Sequence, residues 1–130
     1  MLMGIQKPEL YLKRKFDCFL TDWKANPRHL PLIVKGARQV GKTECVRHFA
    51  DGRYQSFIEI NFVERPQFKA IVRDGYSVES IVSNITQIDS SIRFVKGETL
   101  LFFDELQEFP EIATALKFFA QDGNYDVILS

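Results

Sequence analysis

Two stretches of the chain hold residue types that can act on phosphate. In GARQVGKT, glycines Gly36 and Gly41 flank Ala37, Arg38, Gln39 and Val40, and Lys42 and Thr43 follow. This is the full G-x-x-x-x-G-K-[ST] pattern. Glycines let the backbone curl until successive N–H groups converge on one anion. From that spacing Lys42 can reach the β- and γ-phosphate oxygens of a nucleotide. The Thr43 hydroxyl can ligate Mg²⁺. A helix starting at Lys42 would add the partial positive charge of its N-terminus. The plain alternative is a glycine-containing turn without a ligand. It leaves the complete pattern, set between an apolar run and a helical run, unexplained.

In TLLFFDELQ an apolar run ends in Asp104 and Glu105. Nucleotide chemistry at such a loop needs a carboxylate near its Mg²⁺, usually an Asp at the end of an apolar strand, and Asp104 fits. A glutamate next to it is placed to orient or activate water. Standing alone, the pair would read as two acids leaving a strand into solvent. With the phosphate loop upstream, Asp104 and Thr43 are expected to hold the metal, and Glu105 and Lys42 to be catalytic. Residues Gly36 to Thr43 are expected to bind the nucleotide. The NKxD and DxxG signatures of GTPases are not matched, because Glu105, Leu106 and Gln107 follow Asp104. The adjacent glutamate favours water as the nucleophile over kinase chemistry.

These groups need elements to position them. Residues 8–24 predict a helix, with Phe16, Phe19, Leu20 and Trp23 on one face. Pro27 breaks it. LPLIVK, residues 30–35, predicts a buried strand, with Pro31 confined to its start. KTECVRHFA predicts a helix with Val46, Phe49 and Ala50 inward, ended by Asp51 and Gly52. SFIEINF predicts a strand and PQFKAIVRDG a short helix with Pro66 in its first turn. A helix from Val78 turns Ile81, Val82 and Ile85 to one side. TLLFF predicts a strand buried on both faces, EIATALKFFAQ a helix, and YDVILS a fourth strand. Strands alternating with helices predict an α/β fold, a parallel sheet with helices on both faces.

The chain has 130 residues, for which one domain is expected, and 45% of them are hydrophobic. Lys plus Arg and Asp plus Glu are 17 each. Zero net charge gives no support to a dominant electrostatic grip on nucleic acid or on an anionic membrane, and leaves a local basic patch open. Cys18 and Cys45 have no CxxC spacing, so neither zinc nor a disulfide framework is indicated. The N-terminus carries charge too early for a signal peptide. No apolar run approaches the roughly 20 residues of a membrane span. A cytoplasmic chain is expected.

With those motifs, the chain resembles the AAA-type P-loop ATPases of bacteria and archaea, in the additional-strand catalytic-glutamate division. PLIVKGARQVGKT and TLLFFDELQ carry the resemblance; INF at 60–62 and ALKFF at 115–119 support it. It implies a three-layer P-loop core and ATP with Mg²⁺ as cofactors. It further implies hydrolysis of ATP to ADP and phosphate. The choice of ATP over GTP rests on it alone. Ser130 falls where a strand bearing a polar sensor residue ends. The resemblance implies further elements after Ser130, among them a fifth strand, a helical lid and an arginine that completes a neighbour's site. The chain is therefore expected to be the N-terminal part of such a domain, truncated after the fourth strand. Residues 1–29 would be a leading helix and connector, and 30–130 the P-loop core. Self-association or a C-terminal domain is the expected partner. A nucleotide-binding regulatory or assembly module with negligible turnover is the alternative.

Lesser candidates have plainer readings. His29 and His48 lack metal-ligand spacing. Arg73 and Arg93 read as surface charges before they read as arginine fingers. Trp23 reads as packing for the first helix before a contact to a base. Lys13, Arg14 and Lys15 read as a solvated face.

Overall fold

The computed structural model describes residues 2–35 and 41–130, with side chains from Leu12 onward. The chain divides into two compact units. One spans residues 1–29 and 35–53, and the other residues 30–34 and 54–130.

The second unit holds a four-stranded parallel sheet. Its strands are β1 (Leu32–Ile33), β2 (Ser56–Asn61), β3 (Thr99–Asp104) and β4 (Asp126–Leu129). The order across the sheet is β1-β4-β3-β2. The last strand in sequence is thus internal, inserted between β1 and β3, and the edges fall at β1 and β2. Phe102 lies opposite Ile128 on one side and Glu59 on the other. All six residues of β3 are buried. Its alternating side chains serve two faces. Leu101 and Phe103 join Ile58, Ile60, Val127 and Leu129 in one core cluster, while Leu100, Phe102 and Ile128 are buried outside it. Each such side chain stabilises the fold by about 1.5–3 kcal/mol, so β3 is a firm support for whatever stands at its end.

The cluster is closed by α3 (Val78–Ile88), α4 (Leu116–Asp122) and short 3-10 helices at Pro66–Val72 and Pro110–Ala115. Ser77 caps α3, its Oγ accepting from the Ser80 N–H at 3.2 Å. Ile81 and Ile85 are buried as the periodicity predicts, with Asn84 between them. The Asn84 amide donates to the Ile71 carbonyl at 3.1 Å and to Asp74 at 3.0 Å. Those bonds make its burial tolerable and tie α3 to the 3-10 segment.

Four elements differ from expectation. β1 shrinks to two residues, because Pro31 has no N–H to give and the strand has one neighbour, β4. The Val34 N–H still reaches the Leu129 carbonyl at 2.7 Å. The segment after Pro66 is a 3-10 helix, and EIATALKFFAQ divides between a 3-10 turn and α4. The first helix, α1, runs Leu2–Ala25 and begins well before residue 8.

In the first unit α1 packs on α2 (Lys42–Ala50). Trp23 lies edge-on to His29 at 4.8 Å and tilted to Phe49 at 6.3 Å, which is the packing role expected of it. The Arg53 guanidinium donates to the Phe49 carbonyl at 2.9 Å and to Thr21 Oγ1 at 3.4 Å. Leu20, Val46 and Phe49 are fully buried. Among the described residues no helix is long and apolar enough to cross a membrane.

Candidate functional site

In the first unit the candidate residues gather at the start of α2. Gly36, Ala37, Arg38, Gln39 and Val40 lie outside the described residues. Gly41 is the N-cap residue, at φ 64° and ψ 51°. Its carbonyl accepts the first helical bond, from the Cys45 N–H at 3.0 Å. In that left-handed conformation a side chain would be strained, and glycine is the residue that enters it at no steric cost. The N–H groups of the first turn point forward out of the helix. Together with the helix dipole they make this end attractive to an anion. Lys42 and Thr43, both half-buried, occupy that turn.

A cleft of about 340 Å³ between α1 and α2 is lined by Lys13, Arg14, Asp17, Glu44, Cys45 and His48. Burial pushes the Cys45 thiol above its ordinary 9.0, while the Lys13 ammonium pulls it the other way. The solvated face expected at residues 13–15 holds for Arg14 and Lys15, which are exposed. Lys13 departs from it. Its Cε stands 3.7 Å from the point to which a Cβ on Gly41 would project.

In the second unit the candidate residues stand at the C-terminal end of β3. Asp104 closes the strand at 7% exposure, paired in register with Asn61 of β2. Its Oδ1 accepts from the Glu105 N–H at 2.9 Å, a bond that helps offset the cost of burying a carboxylate. Glu105 sits at φ 63° and ψ 51°. Among the described residues it is the one non-glycine at positive φ. The Gln107 amide donates to Glu105 Oε2. Ser130 closes the turn from the side. Its N–H donates to the Phe103 carbonyl at 2.9 Å, and its carbonyl accepts from the Leu106 N–H at 2.8 Å. The strand-end position expected of Ser130 is therefore beside the Asp104–Glu105 turn.

β1 and β3 run in the same direction in a parallel sheet. The C-terminal end of β1 and Asp104 therefore lie at the same end of the sheet. In open α/β sheets ligands bind outside the carboxyl ends of the strands.

Other candidates take ordinary places. Arg73 donates to Asn84 and Gln87 and pairs with Asp74 at 3.5 Å. Arg93 donates to the Ser90 carbonyl at 3.3 Å. His29 Nδ1 is 2.7 Å from the Asn26 carbonyl oxygen. Among the described residues no group of three or more His, Cys, Asp or Glu could hold a metal by itself. Thr43 and Asp104 offer hard oxygen donors, which suit Mg²⁺, a cation that takes few protein ligands and completes its shell with phosphate and water oxygens.

No curated protein and no solved structure matches the chain. A family model described as an AAA domain matches residues 28–130, most of the chain, and the chain belongs to that family, a nucleotide-binding domain of the ATPase type.

Proposed function

We propose that this domain binds ATP with Mg²⁺ and hydrolyses it to ADP and phosphate. The observation that carries the hydrolytic part is Glu105. A side chain is kept in a left-handed turn directly after a buried aspartate at the end of the most enclosed strand. Such a conformation costs of the order of 1–3 kcal/mol and concentrates at functional sites.

The roles follow from the chemistry of each group. The first-turn N–H groups of α2 and the Lys42 ammonium bind the phosphate oxygens. The Thr43 hydroxyl and the Asp104 carboxylate are the groups that would hold Mg²⁺. When bound, that cation neutralises phosphate charge and favours departure of ADP. The Glu105 carboxylate accepts a proton from the attacking water as its oxygen bonds to the γ-phosphorus and the bond to the β–γ bridging oxygen breaks. The proton then passes to the phosphate released or to solvent.

Calorimetric titration with ATP and Mg²⁺, run beside a phosphate-release assay, tests this reading. The native chain is expected to bind and to release phosphate. Lys42→Ala should lose affinity by about a hundredfold, the worth of a charge-assisted contact. A folded native chain that binds no ATP would refute the reading.

A second reading, a nucleotide-binding regulatory or assembly module with negligible turnover, is favoured by the grip of Gln107 on Glu105. Under it, native turnover is close to background and Gln107→Ala raises it.

A further inference from the structure

We infer that Lys13, on α1, is a second phosphate-binding cation that acts beside Lys42 at the start of α2. The inference rests on the nucleotide reading above and adds a residue to it that lies outside the loop pattern.

Four observations support it, all within the first unit. Lys13 is half-buried where its neighbours Arg14 and Lys15 are exposed. Its Cε is 3.7 Å from the outward direction at Gly41, the residue immediately before Lys42, and the ammonium is one bond further on. It lines the same cleft as Glu44 and Cys45, the two residues after Thr43, so it brackets the first turn of α2 from Gly41 to Cys45. Its charge is felt at the Cys45 thiol.

The electrostatics give the placement a purpose. A cation near a helix N-terminus is unfavourable, since the dipole is positive there. Lys13 adds its charge at an end that already carries Lys42. Glu44 and Asp17 are the acids of the cleft. A bound polyphosphate would be attracted by Lys42, the helix end and Lys13 together. α1 is held in position for this by Leu20, by the Trp23–Phe49 contact and by the Arg53 bonds. Lys13 thus makes α1 part of the binding machinery.

The test is calorimetric titration of ATP and of adenosine into the full chain, at low and moderate salt, for the native protein, Lys13→Met, Lys13→Arg and Lys15→Met. Circular dichroism confirms that each is folded. Lys13→Met is expected to bind ATP about tenfold more weakly, with a shallower salt dependence and no change for adenosine. Lys13→Arg should retain most of the affinity, and Lys15→Met all of it. A folded Lys13→Met that binds ATP like the native chain overturns the inference and leaves the nucleotide reading standing. Equal losses in Lys13→Met and Lys15→Met overturn it too, since that result reports general charge. A native chain that binds no ATP overturns both.

Discussion

Gly41 and Glu105 adopt the same backbone conformation, φ 64° and ψ 51° against φ 63° and ψ 51°. One is a glycine and the other carries a long acidic side chain. At Gly41 the groups proposed to bind phosphate are the backbone N–H groups that follow it, so a side chain adds nothing and glycine avoids the strain. At Glu105 the proposed function rests on the side chain itself. Glycine would relax the turn and remove the carboxylate. The supports differ accordingly. Gly41 opens a helix whose own end attracts anions. Glu105 follows a strand of six buried residues and is closed in by the Ser130 backbone. On the proposed reading, the left-handed turn is easy where the backbone would act and is enforced by surrounding structure where the side chain would act.

The largest effect should separate carboxylate from conformation. Glu105→Gln keeps the side chain's size and removes its basicity. Phosphate release is expected to fall by about 10²–10⁴-fold, the usual worth of a general base, with ATP affinity unchanged. Unaltered release would mean that the turn is kept for some other reason.

Stability should then invert between the two positions. Gly41→Ala places a Cβ in ordinary contact with Lys13, so its cost is that of the backbone, about 1–2 kcal/mol. Glu105→Gly trades relief of strain against the added freedom of the unfolded chain. It is expected to be neutral or stabilising by about 1 kcal/mol. Urea unfolding measures both. A clear loss in Glu105→Gly would show that the turn is stabilised by the glutamate's contacts.

The smallest effect comes from an acid with a merely local role. Asp89 ends α3, and the Ser91 hydroxyl and N–H, at 2.6 and 3.1 Å, hold its carboxyl below the ordinary 3.8, with Arg65 helping. A lowered folded value means that the stabilisation is present above pH 3.8 and fades as the pH falls below it toward the folded value. Asp89→Asn should therefore lose a little stability at neutral pH and show a flatter acid limb in pH-dependent unfolding. An unchanged limb would remove Asp89 from the acid response.

The parts of the site legible in the sequence are those that local chemistry specifies. The loop pattern named Gly41, Lys42 and Thr43, and the apolar run TLLFF announced a doubly buried strand ending at Asp104. α2 follows its periodicity from Lys42 to Ala50. The strand order was not legible residue by residue, because a parallel sheet is joined by long-range pairing that adjacent residues do not encode. The conformation of Glu105 left no mark either, since no glycine or asparagine signals a left-handed turn there. Lys13 was hidden by composition. In a run of three basic residues, only the packing of α1 on α2 distinguishes the one that turns inward.

The most direct test asks whether the start of α2 and the end of β3 serve one nucleotide. ATP affinity would be measured with and without Mg²⁺ on the native chain and on Asp104→Asn. If both regions act on the same ligand, Mg²⁺ strengthens binding to the native chain and the gain is lost in Asp104→Asn, while metal-free affinity is retained. If Asp104→Asn keeps the whole Mg²⁺-dependent gain, the acid at the end of β3 has no part in holding the metal, and the shared site proposed for Thr43 and Asp104 is wrong.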